Sequence, residues 1–322
     1  MNQSTDASAL ERLLRRERTI MALGLGLLAA LAGLYVATGA GLGMSAWDMT
    51  SLSLFPHRAQ AAAAGAPTGM AGMAGMAGMD MSGMDMVPAA DPGWSAGRWA
   101  LTVAMWWTMM VAMMTPSAAP AILLYGRVHR AAAASGRAGA LAPAWSFAAG
   151  YLLVWLGFSA AAAVLQYALE QAGLVSAGMM GSQSKWLSVG VLAAAGLYQL
   201  SPLQRVCLDH CRGPVGFFTR HWRPGMAGAA RLGALHGAYC VGCCWALMVV
   251  LFALGVMSVV WMAVVAAIIF AEKVLSAGVA LTRVVAVALV AFGLWVAVSP
   301  STVPGLTEPD EMAPTMPIQP MP

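Results

Sequence analysis

The sequence predicts an all-α, polytopic integral membrane bundle of about seven transmembrane helices. Of its 322 residues, 60% are hydrophobic and only 9% are charged, and the mean hydropathy is +0.73. So little charge does not keep a soluble domain dispersed, and the bilayer is therefore the expected solvent and partner. Because a helix needs ~20 apolar residues to cross a hydrocarbon core of ~30 Å, the predicted spans are residues 19–40, 99–124, 145–167, 186–202, 232–257, 259–276 and 280–299.

The basic residues predict the orientation of these helices. Lys and Arg resist translocation and so mark cytoplasmic loops. Most of the 17 basic residues fall at the N-terminus or in every second loop, at Arg12, Arg15, Arg16, Arg18, Arg127, Arg130, Arg137, Arg205, Arg212, Arg220, Arg223, Arg231, Lys273 and Arg283. We expect the bundle to lie in a bacterial inner membrane, with the N-terminus in the cytoplasm and the C-terminus on the outer side. The net charge of +4 thus reflects topology, and no nucleic-acid partner is predicted.

The chain divides into five predicted segments. Residues 1–18 form a cytoplasmic N-terminus, 19–40 the first helix, 41–98 an outer loop, 99–300 a six-helix membrane domain, and 301–322 a Pro-rich tail expected to be disordered. A basic start, an apolar run and later small residues also describe a cleaved signal peptide. The length of the uncharged stretch favours a retained helix or signal anchor.

The outer loop contains a low-complexity run of methionines at residues 69–86, expected to be disordered without a ligand. Thioethers are neutral, soft ligands that remain competent in oxidising surroundings. The run predicts capture of Cu(I), and a Gly/Ala/Met linker is the alternative. Its methionines are Met70, Met73, Met76, Met79, Met81, Met84 and Met86.

The fifth predicted helix carries ligand-type side chains on one face, in the run HGAYCVGCCWALM. His236, Cys240, Cys243 and Cys244 fall within a sector of about 100°, and Met248 extends it by one turn. Such residues at membrane depth usually face the bundle interior. The pattern predicts a soft-metal site, with cysteine packing or a disulfide as alternatives. Thiols in the cytoplasmic half stay reduced, which disfavours a thiol oxidoreductase facing outward.

A second thiol pair lies just after the fourth predicted helix, in the run CLDHC. Cys207 and Cys211 are i and i+4 neighbours if the helix continues, and His210 lies between them. The pair should lie at the same membrane face as Cys240. Zn²⁺ accepts the same donors as copper here, and packing or incidental thiols are the alternative.

The second predicted helix carries rows of methionine followed by Pro116 and Pro120, which are expected to kink or break it. At 1.5 Å per residue these methionines should lie at the depth of Cys240 and Cys244. We expect them to contribute thioether ligands, with ordinary packing as the alternative. They are Met109, Met110, Met113 and Met114.

Adjacent charges end the sixth predicted helix. Lys273 is expected to snorkel to the cytoplasmic interface, whereas the shorter Glu272 reaches it less easily. Glu272 is either a proton acceptor coupled to transport or one half of an ion pair with an arginine such as Arg283.

Four segments are typical of one family: WWTMMVAMMTPSAAP (106–120), YQLSPLQRVCLDHCRGP (198–214), GAYCVGCCWALM (237–248) and GVMSVVWM with the later AEK (255–273). Over about residues 98–300 the chain resembles a bacterial family of predicted metal-binding, or copper-binding, integral membrane proteins of unknown function. The resemblance implies metal binding by the bundle. The outer methionine run is not part of the shared pattern.

Together these features predict a membrane protein that handles Cu(I), as a transporter or as a membrane copper chaperone. The expected partners are the copper ion and either a cuproenzyme or a soluble copper chaperone. No catalytic residue is predicted, and no Walker A pattern is present. The alternatives are a membrane thiol redox protein using Cys240 and Cys243, and a structural or assembly subunit with incidental thiols.

Overall fold

The computed structural model describes residues 3–39, 93–132, 141–175, 182, 184–275 and 278–298. Over these residues the chain forms helices and no β-strand, apart from one isolated bridge between Val175 and Ser182. The outer methionine run and the Pro-rich tail lie outside the described residues. The helices are α1 (Gln3–Ala37), α2 (Ala96–Ala132), α3 (Leu141–Gln171), α4 (Lys185–Gln199), α5 (Pro202–Arg212), α6 (Pro214–His221), α7 (Gly225–Val249), α8 (Leu251–Leu254), α9 (Val259–Val274) and α10 (Gly278–Val298).

Five of the described stretches are long and apolar enough to cross a membrane: those formed by α1, α2, α3, α7 with α8, and α10. The α4 and α5 helices make a sixth if they are counted as one span, which bends by 62°. All-α architecture is thereby confirmed, whereas the count of seven is not. The predicted span 259–276 forms α9, whose 16 residues extend only ~24 Å at 1.5 Å per residue.

The α3 and α7 helices pack backbone to backbone through glycines. A Cβ added at Gly150 would meet the carbonyl of Ala230, and one added at Gly233 would meet the carbonyl of Phe147. Small residues permit such close approach of membrane helices. This contact holds the cysteine-bearing face of α7 against α3.

A polar network ties α2 to α3 at the end of the bundle that is predicted to be extracytoplasmic. The Glu170 carboxylate accepts hydrogen bonds from Arg98 Nη2 at 2.8 Å, Trp94 Nε1 at 3.0 Å and Gln166 Nε2 at 3.0 Å. The side-chain oxygen of Gln166, Oε1, in turn accepts a hydrogen bond from Trp106 Nε1 at 2.8 Å. Each buried polar group of this network therefore has a partner, which fixes the register of the two helices.

The predicted break in α2 is absent, because the helix is continuous from Ala96 to Ala132 with Pro116 and Pro120 inside it. The Ser117 hydroxyl donates to the Met114 carbonyl at 3.0 Å, so a side chain supports the backbone beside the first proline. Helices in a bundle tolerate proline where neighbours satisfy the freed groups.

Candidate metal centre

The two predicted thiol clusters meet where α5 crosses α7. Ser201 begins α5 as its N-cap, with its Oγ accepting from the Gln204 amide at 3.1 Å and proline at the first helical position. This start directs one face of the short helix against the middle of α7. Cys211 Sγ lies 3.9 Å from Cys243 Sγ, so thiols from two separate helices are adjacent.

The distance between these two sulfurs suits a shared metal ion. Two bonds of ~2.3 Å from thiolate sulfur to one ion hold the sulfurs ~3.8 Å apart in a tetrahedral arrangement and ~4.6 Å apart in a linear one. The observed 3.9 Å between Cys211 and Cys243 falls within this range. The backbones of α5 and α7 therefore need no displacement for the two thiols to hold one ion.

Cys240 lies one turn earlier on α7, and two polar groups converge on its sulfur. The Tyr151 hydroxyl of α3 is 3.1 Å from Cys240 Sγ, and Lys273 Nζ of α9 is 2.9 Å from it. Lys273 Nζ also donates to Ser117 Oγ of α2 at 3.3 Å. Helices α3, α7 and α9 thus meet at this one sulfur, and α2 joins them through Lys273.

The position of Lys273 contradicts the prediction that this side chain snorkels to the cytoplasmic interface. Helix α9 begins only at Val259, after Gly255 with a φ of +98°, and it ends at Val274. Its last turn packs beside Cys240, where Lys273 Nζ donates to Cys240 Sγ and to Ser117 Oγ. The Lys273 ammonium is therefore directed at the thiol site.

The thiols of the site are reduced, since all five cysteines of the chain are free. Cys243 Sγ and Cys244 Sγ both donate to the Cys240 carbonyl, at 3.1 Å and 2.9 Å. Cys240, Cys243, Cys244 and Cys207 are buried, whereas Cys211 is only partly so. Cys207 packs on the α7 backbone, because a Cβ added at Gly242 would lie 2.7 Å from its sulfur.

The methionines of α2 occupy the bundle interior and do not face lipid. Met109, Met110, Met113 and Met114 are all buried, as is Met248 on α7. Two contacts give the antiparallel register of α2 and α7–α8. The Trp106 ring lies 5.2 Å from that of Phe252, and Lys273 joins Ser117 to Cys240. Between these contacts the methionines line the stretch that runs from the outer network toward the thiols.

The two predicted histidines differ in their surroundings. His236, one turn before Cys240, is buried among aromatic rings, and its Nδ1 has no hydrogen-bond partner among the described residues. His210 instead stacks on Tyr239 with ring centroids 4.3 Å apart, and its Nδ1 contacts the Val206 carbonyl at 2.8 Å. His236 therefore remains a candidate ligand, whereas the contacts of His210 anchor α5 to α7.

Glu272 is buried at the end of α9, on a different side from the thiols. Its carboxylate accepts from Gln199 Nε2 of α4 at 3.2 Å. Arg212 of α5 donates to the Glu272 carbonyl oxygen at 3.2 Å and to the Leu275 carbonyl at 2.7 Å. Arg212, rather than the predicted Arg283, thus contacts this part of α9, and it does so through the backbone.

No three His, Cys, Asp or Glu side chains of the described part of the chain converge tightly enough to hold an ion as they stand. The structure instead offers one preformed pair, Cys211 and Cys243, with Cys240 one turn away on α7. A third ligand requires a side-chain rotation, such as release of Cys240 from Lys273.

Three groups at the site were not singled out from the sequence as site residues: Tyr151, Ser117 and the amino group of Lys273. The available signal was their depth, because polar side chains within an apolar helix usually face the interior and have a function. Tyr151 and Lys273 contact Cys240, and Ser117 contacts Lys273; these contacts become evident only when α2, α3 and α9 are packed around α7.

Comparison with protein families places the chain in a known group. The model of the PpoB2 copper chaperones matches residues 103–296, a range that holds all five cysteines and the methionine rows of α2. Comparisons with curated proteins and with solved structures gave no match. The match covers more than half of the chain, confirms the predicted relation to copper, and shows that the chain belongs to the PpoB2 copper chaperone family.

Proposed function

We propose that this protein binds Cu(I) within a bacterial inner membrane, between α5 and α7, and passes it to an acceptor. The observation that carries the proposal is the 3.9 Å separation of Cys211 Sγ and Cys243 Sγ across two helices. Membership of a copper chaperone family supports copper as the cargo. In this proposal Cys240 is the third thiolate ligand, and His236 and Cys244 lie within one turn of it.

The donor types support the monovalent ion. Thiolate and thioether sulfur select Cu(I), whereas oxygen ligands suit hard divalent ions. The buried methionines of α2 and Met248 provide thioethers at positions between the outer network and the thiols. A reduced, water-poor interior also preserves Cu(I), because the thiols there are not exposed to external oxidants.

The ion enters, in this proposal, from the extracytoplasmic side. The methionine run at residues 69–86 captures it, the thioethers of α2 and α7 receive it, and the thiols bind it last. Thiolates hold Cu(I) more tightly than thioethers do, so affinity increases toward the cytoplasmic half. The distribution of Lys and Arg supports this orientation.

Helix α5 is suited to release the ion. It is a short amphipathic helix of 11 residues whose Leu203 and Val206 are exposed. Its ligand Cys211 is partly exposed, whereas Cys243 is buried. A soluble copper chaperone or a cuproenzyme therefore reaches the ion through Cys211, while α7 keeps the other thiols fixed.

Anaerobic Cu(I) titration of the purified, reduced full-length protein tests this proposal, with a chromophoric chelator as competitor. We expect Cys211→Ser/Cys243→Ser to lose the tightest site, and the thiolate-to-Cu(I) absorption of that site with it. Cys207→Ser is the matched control, because Cys207 packs on Gly242. All variants retain the outer methionine run, so its weaker binding cancels in the comparison. An unchanged tight site in the double variant would refute the proposal.

Delivery and transport are distinguished by flux. We expect proteoliposomes with Cu(I) outside to accumulate no more copper than empty vesicles unless an acceptor is enclosed, if the protein is a chaperone. Accumulation without an acceptor, abolished by Cys211→Ser/Cys243→Ser, would instead identify a transporter. Both outcomes require the thiol pair, and they differ in whether the ion leaves it unaided.

A further inference from the structure

Arg212 is the last residue of α5, and its guanidinium lies where α9 ends and α10 begins. Its Nη2 donates to the Leu275 carbonyl at 2.7 Å, and its Nη1 donates to the Glu272 carbonyl at 3.2 Å. A Cβ added at Gly278, the first residue of α10, would meet Arg212 Nη1 and the Glu272 carbonyl oxygen. The guanidinium is therefore fitted closely against this junction.

The contact of Arg212 with α9 is of a kind that fixes position. The last carbonyls of a helix have no partner within the helix, and a cation is favoured at that end by the helix dipole. The guanidinium supplies both the donors and the charge. Because it is a rigid planar fork, two simultaneous bonds to one helix end define both its place and its orientation. The last turn of α5 is thereby held against α9.

That turn carries the proposed ligand Cys211, whose Sγ lies 3.9 Å from Cys243 Sγ. A second contact anchors the same turn to α7, where His210 stacks on Tyr239 with ring centroids 4.3 Å apart. The stack sets the distance of the turn from α7, and the Arg212 contact sets its position toward α9. Cys211 is thus located by its two neighbours on α5 rather than by its own side chain.

We propose that Arg212 is a positioning residue of the metal centre, which holds Cys211 Sγ at bridging distance from Cys243 Sγ by binding the end of α9. This inference rests on the proposed function, because the separation of the sulfurs matters for copper only if one ion bridges them. Arg212 acts through the backbone of α5 and is not itself a ligand. Residues that orient ligands in this way change metal affinity by about 10–100-fold when they are replaced.

A thiol–disulfide equilibrium without metal tests the positioning directly. The full-length protein with Cys207→Ser/Cys240→Ser/Cys244→Ser keeps only Cys211 and Cys243. Glutathione disulfide oxidises this pair and is itself reduced to two glutathione thiols. The fraction of protein disulfide at equilibrium therefore measures the effective concentration of one thiol at the other. No copper is needed for this measurement, so it does not depend on the proposed function.

In that background we expect Arg212→Gln to lower the effective concentration, and with all five cysteines present to lower Cu(I) affinity about 10–100-fold. Arg212→Lys should fail likewise, because an ammonium keeps the charge but lacks the fork that binds both carbonyls. Arg205→Gln, at an exposed position of the same helix, is the matched control and should change neither quantity. If Arg212→Gln does not fold, Gly278→Ala displaces the guanidinium instead. Its control is Gly216→Ala, where an added Cβ meets nothing within 4 Å.

The outcomes separate the two proposals. A wild-type disulfide equilibrium in Arg212→Gln or in Arg212→Lys would overturn the positioning role, even if Cu(I) affinity falls. A lowered equilibrium in Arg205→Gln would overturn it too, since the effect would then not be specific to the contact with α9. A wild-type protein with no tight Cu(I) site would instead refute the proposed function, while a lowered equilibrium in Arg212→Gln would still support the anchoring of α5.

Discussion

Gly242 offers a test of the site that alters no ligand. It lies on α7 where α5 crosses, and an added Cβ would be 2.7 Å from Cys207 Sγ and 3.4 Å from Cys207 Cβ. Non-bonded heavy atoms prefer ~3.5–4.0 Å. Gly242→Ala therefore requires Cys207 Sγ to move away by about 1 Å. Because Cys207 is buried between the two helices, we expect α5 to move with it.

The size of that movement determines the effect on metal binding. Cys211 lies one helical turn from Cys207, so a shift of α5 by about 1 Å widens the gap between Cys211 Sγ and Cys243 Sγ by a similar amount. From 3.9 Å the gap becomes larger than the ~4.6 Å that two bonds of ~2.3 Å can span. We expect Cu(I) affinity to fall about 10–100-fold, as for other changes that misplace ligands, and overpacking to cost about 1–3 kcal/mol of stability.

Anaerobic competition titration measures the affinity, and thermal unfolding in detergent measures the stability. Gly190→Ala is the control, because a Cβ there meets nothing within 4 Å. Cys207→Ala/Gly242→Ala removes the obstructing sulfur and should restore most of the affinity. Wild-type Cu(I) affinity in Gly242→Ala would refute the expected displacement of α5. A double variant without recovery would show that Cys207 is itself a ligand.

Three further changes test the packing around the site. Gly233→Ala should lower the melting temperature in detergent, because its Cβ would meet a backbone carbonyl of α3, whereas Gly157→Ala, with nothing within 4 Å, should not. Tyr151→Phe removes the hydroxyl 3.1 Å from Cys240 Sγ and should lower the Cu(I) affinity about two- to tenfold at unchanged melting temperature. A variant with the wild-type Cu(I) affinity would show that Tyr151 does not contribute to the site. Glu170→Gln breaks a network that contains no proposed metal ligand. We therefore expect the free energy of unfolding to fall by about 1–3 kcal/mol and the Cu(I) affinity to stay unaltered. A changed Cu(I) affinity would show that this network and the thiol site are coupled.

Composition and apolar run length were sufficient for the helical class and for most of the spans, because the bilayer imposes both on any polytopic chain. The failure at 259–276 has a local cause. The positive φ at Gly255 and the extended C-cap at Leu275 confine α9 to 16 residues. Hydropathy averages across such interruptions, so it counted a full span where the structure has a shorter helix.

The candidate site was predicted in part, because some of its geometry is set within single helices. The spacing of Cys240, Cys243 and Cys244 within one helix follows from 3.6 residues per turn, so the sequence determines their shared face. It also determines the i, i+4 relation of Cys207 and Cys211. The distance between Cys211 and Cys243 depends on the 62° bend between α4 and α5, which no periodicity reveals.

The sequence by itself determined that this is an apolar helical bundle with thiols on one face of α7 and thioethers along α2. Only the tertiary structure decided which thiols adjoin, that Tyr151 and Lys273 reach Cys240, and that His210 stacks on Tyr239. Residue types and local periodicity are properties of single segments. The juxtaposition of groups from α2, α3, α5 and α9 around α7 depends on where each helix ends and at what depth it packs.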